Sequence, residues 1–261
     1  MTSSLPSRYV RTVQGVAGYS PANHTGTSNQ RLISHETVGA KYMELLIGTI
    51  VKGHGATRHY HPHLEQAGYM FQGGGLGEIN GVEREVGPGG WRFYPKVTPH
   101  RLTVTSDEPV KTIVLYAPPY AENKQATVVC DDLTSMPAKA STGVEKNDAT
   151  TPTPIPGAEQ LQGAQWDPLV TADTSGAENM AIYGLQLTVG GGAASHRLNK
   201  MEQALFLRKG TLTGRVNGEP FEATEGDFVF IPEGALHDYA CTSNTGANLF
   251  VIRAFPTTTE D

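Results

Sequence analysis

The residues best suited to chemistry lie in one short run, His59-Tyr60-His61-Pro62-His63-Leu64-Glu65-Gln66. On a β-strand, His59 and His61 would project to the same side with Cα atoms roughly 6–7 Å apart. Two imidazoles on one face can reach one first-row metal ion, each at about 2.0–2.1 Å. His100, beyond a turn containing Pro95, and an oxygen donor from the next strand would complete a set of nitrogen and oxygen ligands. The plainer explanation is a surface histidine cluster that binds nothing, because short histidine-rich tracts are common.

Whether the run is positioned for a metal depends on its surroundings, and the surroundings repeat. Sliding the sequence against itself by 137 positions pairs Gly53 with Gly190, His59 with His196, and Glu65-Gln66-Ala67 with Glu202-Gln203-Ala204. The same shift, without a gap, pairs Asn80-Gly81 with Asn217-Gly218, Gly89 with Gly226, Pro95 with Pro232 and His100 with His237. Matches that include His, Gln and Asn as well as Gly indicate a tandem duplication. Each copy reads as short strands: Met43–Val51 and Met180–Val189, then Trp91–Tyr94 and Phe228–Ile231, then Thr112–Tyr116 and Leu249–Ile252. The Asn-Gly pairs predict two-residue hairpin turns, since both positions tolerate positive φ. Trp91, Phe93, Phe228 and Phe230 share one face in each copy and read as core. The expected organisation is an extension without clear periodicity over 1–40, a first copy over 41–130, a linker over 131–165 and a second copy over 166–261. The linker contains Thr-Pro-Thr-Pro-Ile-Pro-Gly, which suits an exposed connection, and the 1–40 segment is a candidate to pack across the other copy or a second subunit.

These motifs resemble those of the cupin superfamily. Gly53-x5-His59-x-His61, then an acidic or amide donor and Gly73, matches the first cupin motif; Gly89-x5-Pro95-x4-His100 matches the second. The resemblance covers about residues 40–118 and 177–255 and makes the chain look like a bicupin. It implies an all-β fold of two tandem jelly-roll (double-stranded β-helix) barrels, one divalent transition metal (Fe, Mn, Ni, Co or Zn), and frequent homo-oligomerisation. Carried over, the metal ligands fall on His59, His61, His100 and either Glu65 or Gln66. Counting forward from His61 selects Glu65; counting back from Gly73, where strand parity is unbroken, selects Gln66 and is favoured. A carboxylate would offset one unit of the ion's charge, whereas an amide leaves the full charge to attract an anionic substrate. His63 belongs to the loop beside Pro62 and, with Tyr94, is a candidate acid–base group. In the second copy His196, Gln203 and His237 persist, but Leu198 stands where the first has His61 and Lys200 where it has His63, so this site is expected to be degenerate.

The formal charge of −6, with no basic block, argues against a nucleic-acid partner, and no apolar run is long enough for a membrane-spanning helix. Cys130 and Cys241 cannot build a disulfide framework and the first residues hold no apolar signal core, so a cytoplasmic protein is expected. Arg58 and Arg101 read as solvent-facing salt-bridge partners, and Arg92 as an anion binder if its face turns inward. The leading expectation is a metal-dependent enzyme acting on a small oxygen-rich metabolite in the first barrel, with dioxygenase the favoured class. The alternatives are non-redox Lewis-acid catalysis (isomerase, lyase or hydrolase) and a non-catalytic metabolite-binding protein.

Overall fold

The computed structural model describes residues 7–121, 124–130 and 155–257. The first half carries β1 (Val10–Arg11), β2 (His24–Ile33), α1 (His35–Val38), β3 (Glu44–Ala56), β4 (His59–Tyr60), β5 (Glu65–Gln72), β6 (Gly75–Ile79), β7 (Val82–Val86), β8 (Trp91–Tyr94), β9 (His100–Val104), β10 (Val110–Ala117) and β11 (Val128–Val129). The second carries β12 (Leu161–Val170), α2 (Ala172–Ser175), β13 (Met180–His196), β14 (Glu202–Lys209), β15 (Thr211–Val216), β16 (Glu219–Thr224), β17 (Phe228–Ile231), β18 (His237–Cys241) and β19 (Ala247–Ala254). Strands β2–β11 form one sheet system and β12–β19 the other, giving two tandem barrels of largely antiparallel strands.

Local chemistry explains the elements. Asn80-Gly81 joins Ile79 to Val82 with φ of 52° and 79°, and Asn217-Gly218 joins Val216 to Glu219 with 51° and 80°. Both are the two-residue turns whose twist suits a hairpin. Strand β3 opens with buried residues on both faces, Leu45, Leu46 and Ile47. One face lines its own barrel and the other meets the second copy, which is why the apolar run does not alternate. A shared core results, joining Leu45, Tyr69, Phe93 and Leu115 of the first copy to Ile182, Phe228 and Phe250 of the second. Phe93, Phe228 and Phe230 are buried as expected, whereas Trp91 is half-buried, its ring 5.3 Å from that of Phe250.

The pairing that repeats reaches back into the expected 1–40 extension: His24–Ile33 pairs along β3 as Leu161–Val170 pairs along β13. Ser34 caps α1 by accepting from the Thr37 N–H, and Thr171 caps α2 by accepting from the Thr174 N–H. These pairs also lie 137 apart (171 − 34), but Ser against Thr and His24 against Leu161 leave too few identities to be seen in the sequence. Within the expected linker, 131–154 lies outside the described residues and 161–165 is already strand. Only residues before β2 behave as an extension, and β1 crosses to pair with β17 of the second copy.

Candidate metal centre

Three strands bring the predicted donors together. β4 places His59 directly opposite His100 at the start of β9, His61 follows β4, and Gln66 enters from β5 between Tyr94 and Tyr116 as cross-strand neighbours. The three imidazoles are buried, with ring centroids 4.5–5.4 Å apart and one nitrogen of each within 4.8 Å of the others. The Nδ1 atoms of His59, His61 and His100 sit 2.7, 2.7 and 2.8 Å from the carbonyls of Thr57, Ala126 and Thr98. A neutral imidazole has one N–H, and these carbonyls require it on Nδ1, so each Nε2 keeps a lone pair.

The Gln66 Oε1 atom lies 2.9 Å from His61 Nε2 and 3.1 Å from His100 Nε2. Oxygen and nitrogen lone pairs thus converge without a proton between them, which is the chemistry of a cation's donor set. Two donors at about 2.1 Å and right angles around one ion are about 3 Å apart, so the spacing fits a first-row divalent metal. Burial lowers the pKa of all three histidines, that of His59 to about 3, aided by its histidine neighbour. They are neutral at pH 7, as ligation requires.

Glu65 points the other way. Buried at 2% exposure, its carboxylate accepts the backbone N–H groups of Glu178 and Asn179, each at 2.8 Å. Adjacent strand residues face opposite sides, so the carboxylate serves the junction between copies while the amide faces the histidines. Burial pushes the Glu65 carboxyl up despite the two N–H donors.

Beside His59, His100 and Gln66 is a cavity of about 90 Å³, room for about three waters at ~30 Å³ each. Tyr94 lines it with its ring stacked on His100 at 4.3 Å, and burial raises its hydroxyl pKa. Arg92 lines it too, one guanidinium nitrogen held by the Gly87 carbonyl at 3.1 Å. His63 is exposed in the loop before β5 and does not line the cavity. Arg58 and Arg101 are not simply solvent-facing: both bind Glu78, itself buried, at 2.9 and 2.6 Å.

Sequence reasoning missed His24 and Tyr116. His24 lines the cavity, its ring 5.8 Å from that of His59 and its Nδ1 2.7 Å from the Ala22 carbonyl. It comes from a stretch without periodicity and its repeat counterpart is Leu161, so no signal marked it. Tyr116 packs its ring 5.6 Å from that of His61.

The cupin domain family matches residues 46–116 and 185–253, more than half of the chain. The chain is a cupin. It holds two copies of the domain, each match falling within one barrel. No curated protein matches it. Among solved structures, oxalate decarboxylase from Bacillus subtilis at pH 4.6 is similar with a TM-score of 0.66 and 12% identity, over 96% of this cupin and 76% of that chain. A second structure of that enzyme, concerned with its Mn(II) centres, gives 0.67 and 12% over 98% and 79%. At such identity the likeness is one of fold.

Proposed function

We propose that this cupin is a metal-dependent enzyme whose first barrel acts as a Lewis acid on a small, anionic, oxygen-rich metabolite. One observation carries the reading: the fourth inward donor is the neutral amide of Gln66, while the neighbouring carboxylate of Glu65 is committed to the Glu178–Asn179 backbone. His59, His61, His100 and Gln66 would hold a divalent ion with its charge unreduced, and that ion would supply stabilisation of negative charge developing on a substrate oxygen. Arg92 offers a guanidinium to a substrate carboxylate at the same cavity, and Tyr94 and His24 supply polar groups at its wall. His63, exposed outside the lining, gives way to Tyr94 as the candidate proton donor. Burial keeps the Tyr94 hydroxyl protonated, the state in which it donates.

The dioxygenase expectation is the second reading. Four protein donors leave up to two positions on a six-coordinate ion, enough for a substrate and dioxygen. The uncharged donor set weighs against it, because neutral ligands disfavour raising the metal above the dipositive state. The test is turnover of small oxo-, hydroxy- and dicarboxylates by metal-loaded protein, under air and under nitrogen. Oxalate, named in the structural neighbours, belongs in that panel for its charge and small size. Equal rates in both atmospheres, lost on chelation, support Lewis-acid chemistry. Turnover only in air establishes the dioxygenase, and absence of bound metal overturns both.

A further inference from the structure

The second barrel keeps most of the donor positions and yet is built differently at their centre. The 137-residue offset carries His59, Gln66 and His100 onto His196, Gln203 and His237, while His61 becomes Leu198 and Tyr116 becomes Arg253. His196 and His237 remain together, ring centroids 4.2 Å apart. Loss of one histidine alone would leave three nitrogen and oxygen donors, a number on which metal sites are routinely built. Leu198 therefore does not by itself close the site.

Arg253 does what Leu198 cannot. It lies on β19 directly across from Gln203 on β14, so both side chains stand on the barrel's inner face. Only 3% exposed, it donates from Nε to Gln203 Oε1 at 2.9 Å, and its guanidinium lies 5.6 Å from the Tyr183 ring centroid. That amide oxygen is the counterpart of the one facing His61 and His100 in the first barrel. No salt bridge to Arg253 forms among the described residues. Among the described residues, its Nη1 and the Nε2 of His237 are buried without a partner. His237 Nδ1 sits 3.0 Å from the Ala235 carbonyl and takes the ring proton, which leaves Nε2 an acceptor.

We propose that Arg253 is the resident cation of the second barrel, its guanidinium standing in for the divalent metal and closing that site to metal. The donor positions then solvate a charge supplied by the chain itself: Gln203 accepts its hydrogen bond, and burial keeps His237 neutral. The positive charge is permanent, since guanidinium does not deprotonate in proteins, and a dication brought against it meets repulsion in a medium that screens poorly. The inference uses the first barrel as a metal site only to give the donor positions their meaning.

Metal binding by the second barrel can be counted alone in full-length H59A/H61A, where the first site keeps only two of its four donors. Co(II) serves as probe, read as metal per chain by elemental mass spectrometry and as the visible absorption of nitrogen-ligated cobalt. H59A/H61A and H59A/H61A/L198H are expected to bind none, and H59A/H61A/L198H/R253Y, which restores the first copy's set in the second barrel, one Co(II) per chain. Uptake of one Co(II) by H59A/H61A/L198H, or a folded quadruple variant that takes none, overturns the proposal. Should the quadruple variant not fold, wild-type protein is titrated instead. Saturation at one equivalent upholds the proposal, and a second equivalent lost in H196A overturns it. If wild-type protein holds no metal while the quadruple variant gains one, the proposed function fails and this inference stands.

Discussion

At the scale of residues, the neighbours Glu65 and Gln66 divide by strand parity, and the side of the sheet decides which faces the histidines. Q66E should hold metal more tightly against a chelator and lose turnover by at least about tenfold, the size of effect usual for groups that tune a metal site. Equal or faster turnover would show that the ion's full charge is not what the reaction uses. H59A should weaken metal binding strongly and shift the apo protein's thermal midpoint only modestly, by calorimetry; collapse of the apo fold would mark the histidine as structural. His237 makes a pH prediction. Burial lowers its pKa to about 4, below the ordinary value of 6.5, so between those values the unfolded chain binds the extra proton. Stability therefore falls as pH falls through that window, by about 1.4 kcal/mol per pH unit for this one group. Urea midpoints at about pH 7 and about pH 5 should show a shallower loss in H237N than in wild type.

At the scale of elements, tight turns set where each strand begins, and their cost is local. Gly73, between β5 and β6, has φ of 74°, and a Cβ there would lie 2.8 Å from the backbone of Pro109 and Val110. Gly89 has φ of 89° but nothing within 4 Å of the same position. G89A should cost about 1 kcal/mol of backbone strain, and G73A clearly more, because β10 must move as well. Denaturant melts of the two variants separate strain from collision. The hairpins at Asn80-Gly81 and Asn217-Gly218 and strands β8 and β17 were readable as they stand, because turn chemistry and side-chain type act over a few residues. β2 and β12 were not, because their pairing with β3 and β13 is set by partners 12 to 32 residues away.

At the scale of the molecule, the two barrels hold each other by reciprocal carboxylates. Glu65 of the first binds the backbone at 178–179 of the second, and Glu202 of the second binds the backbone of Lys41 and Tyr42, each contact at 2.8 Å. Removing either carboxylate leaves two N–H groups without their acceptor at a junction whose core is shared. E202A should destabilise the fold by about 2 kcal/mol or more. Wild-type protein should unfold in one calorimetric transition, because Tyr69 and Phe250 of opposite copies pack with rings 4.7 Å apart in that core. Two well-separated wild-type transitions would show that the barrels fold independently.

The sequence by itself determined the duplication, the hairpin turns and His59, His61 and His100 as candidate partners, and its resemblance to the cupins implied the two barrels. The first three rest on spacing, and spacing survives translation into strands of period two. Tertiary structure alone brought His24 and Tyr116 to the cavity, left His63 outside it, gave Glu65 to the other copy and set Arg253 against Gln203. Those outcomes depend on which distant strand lies alongside and which face it presents, and closing a barrel decides both at once.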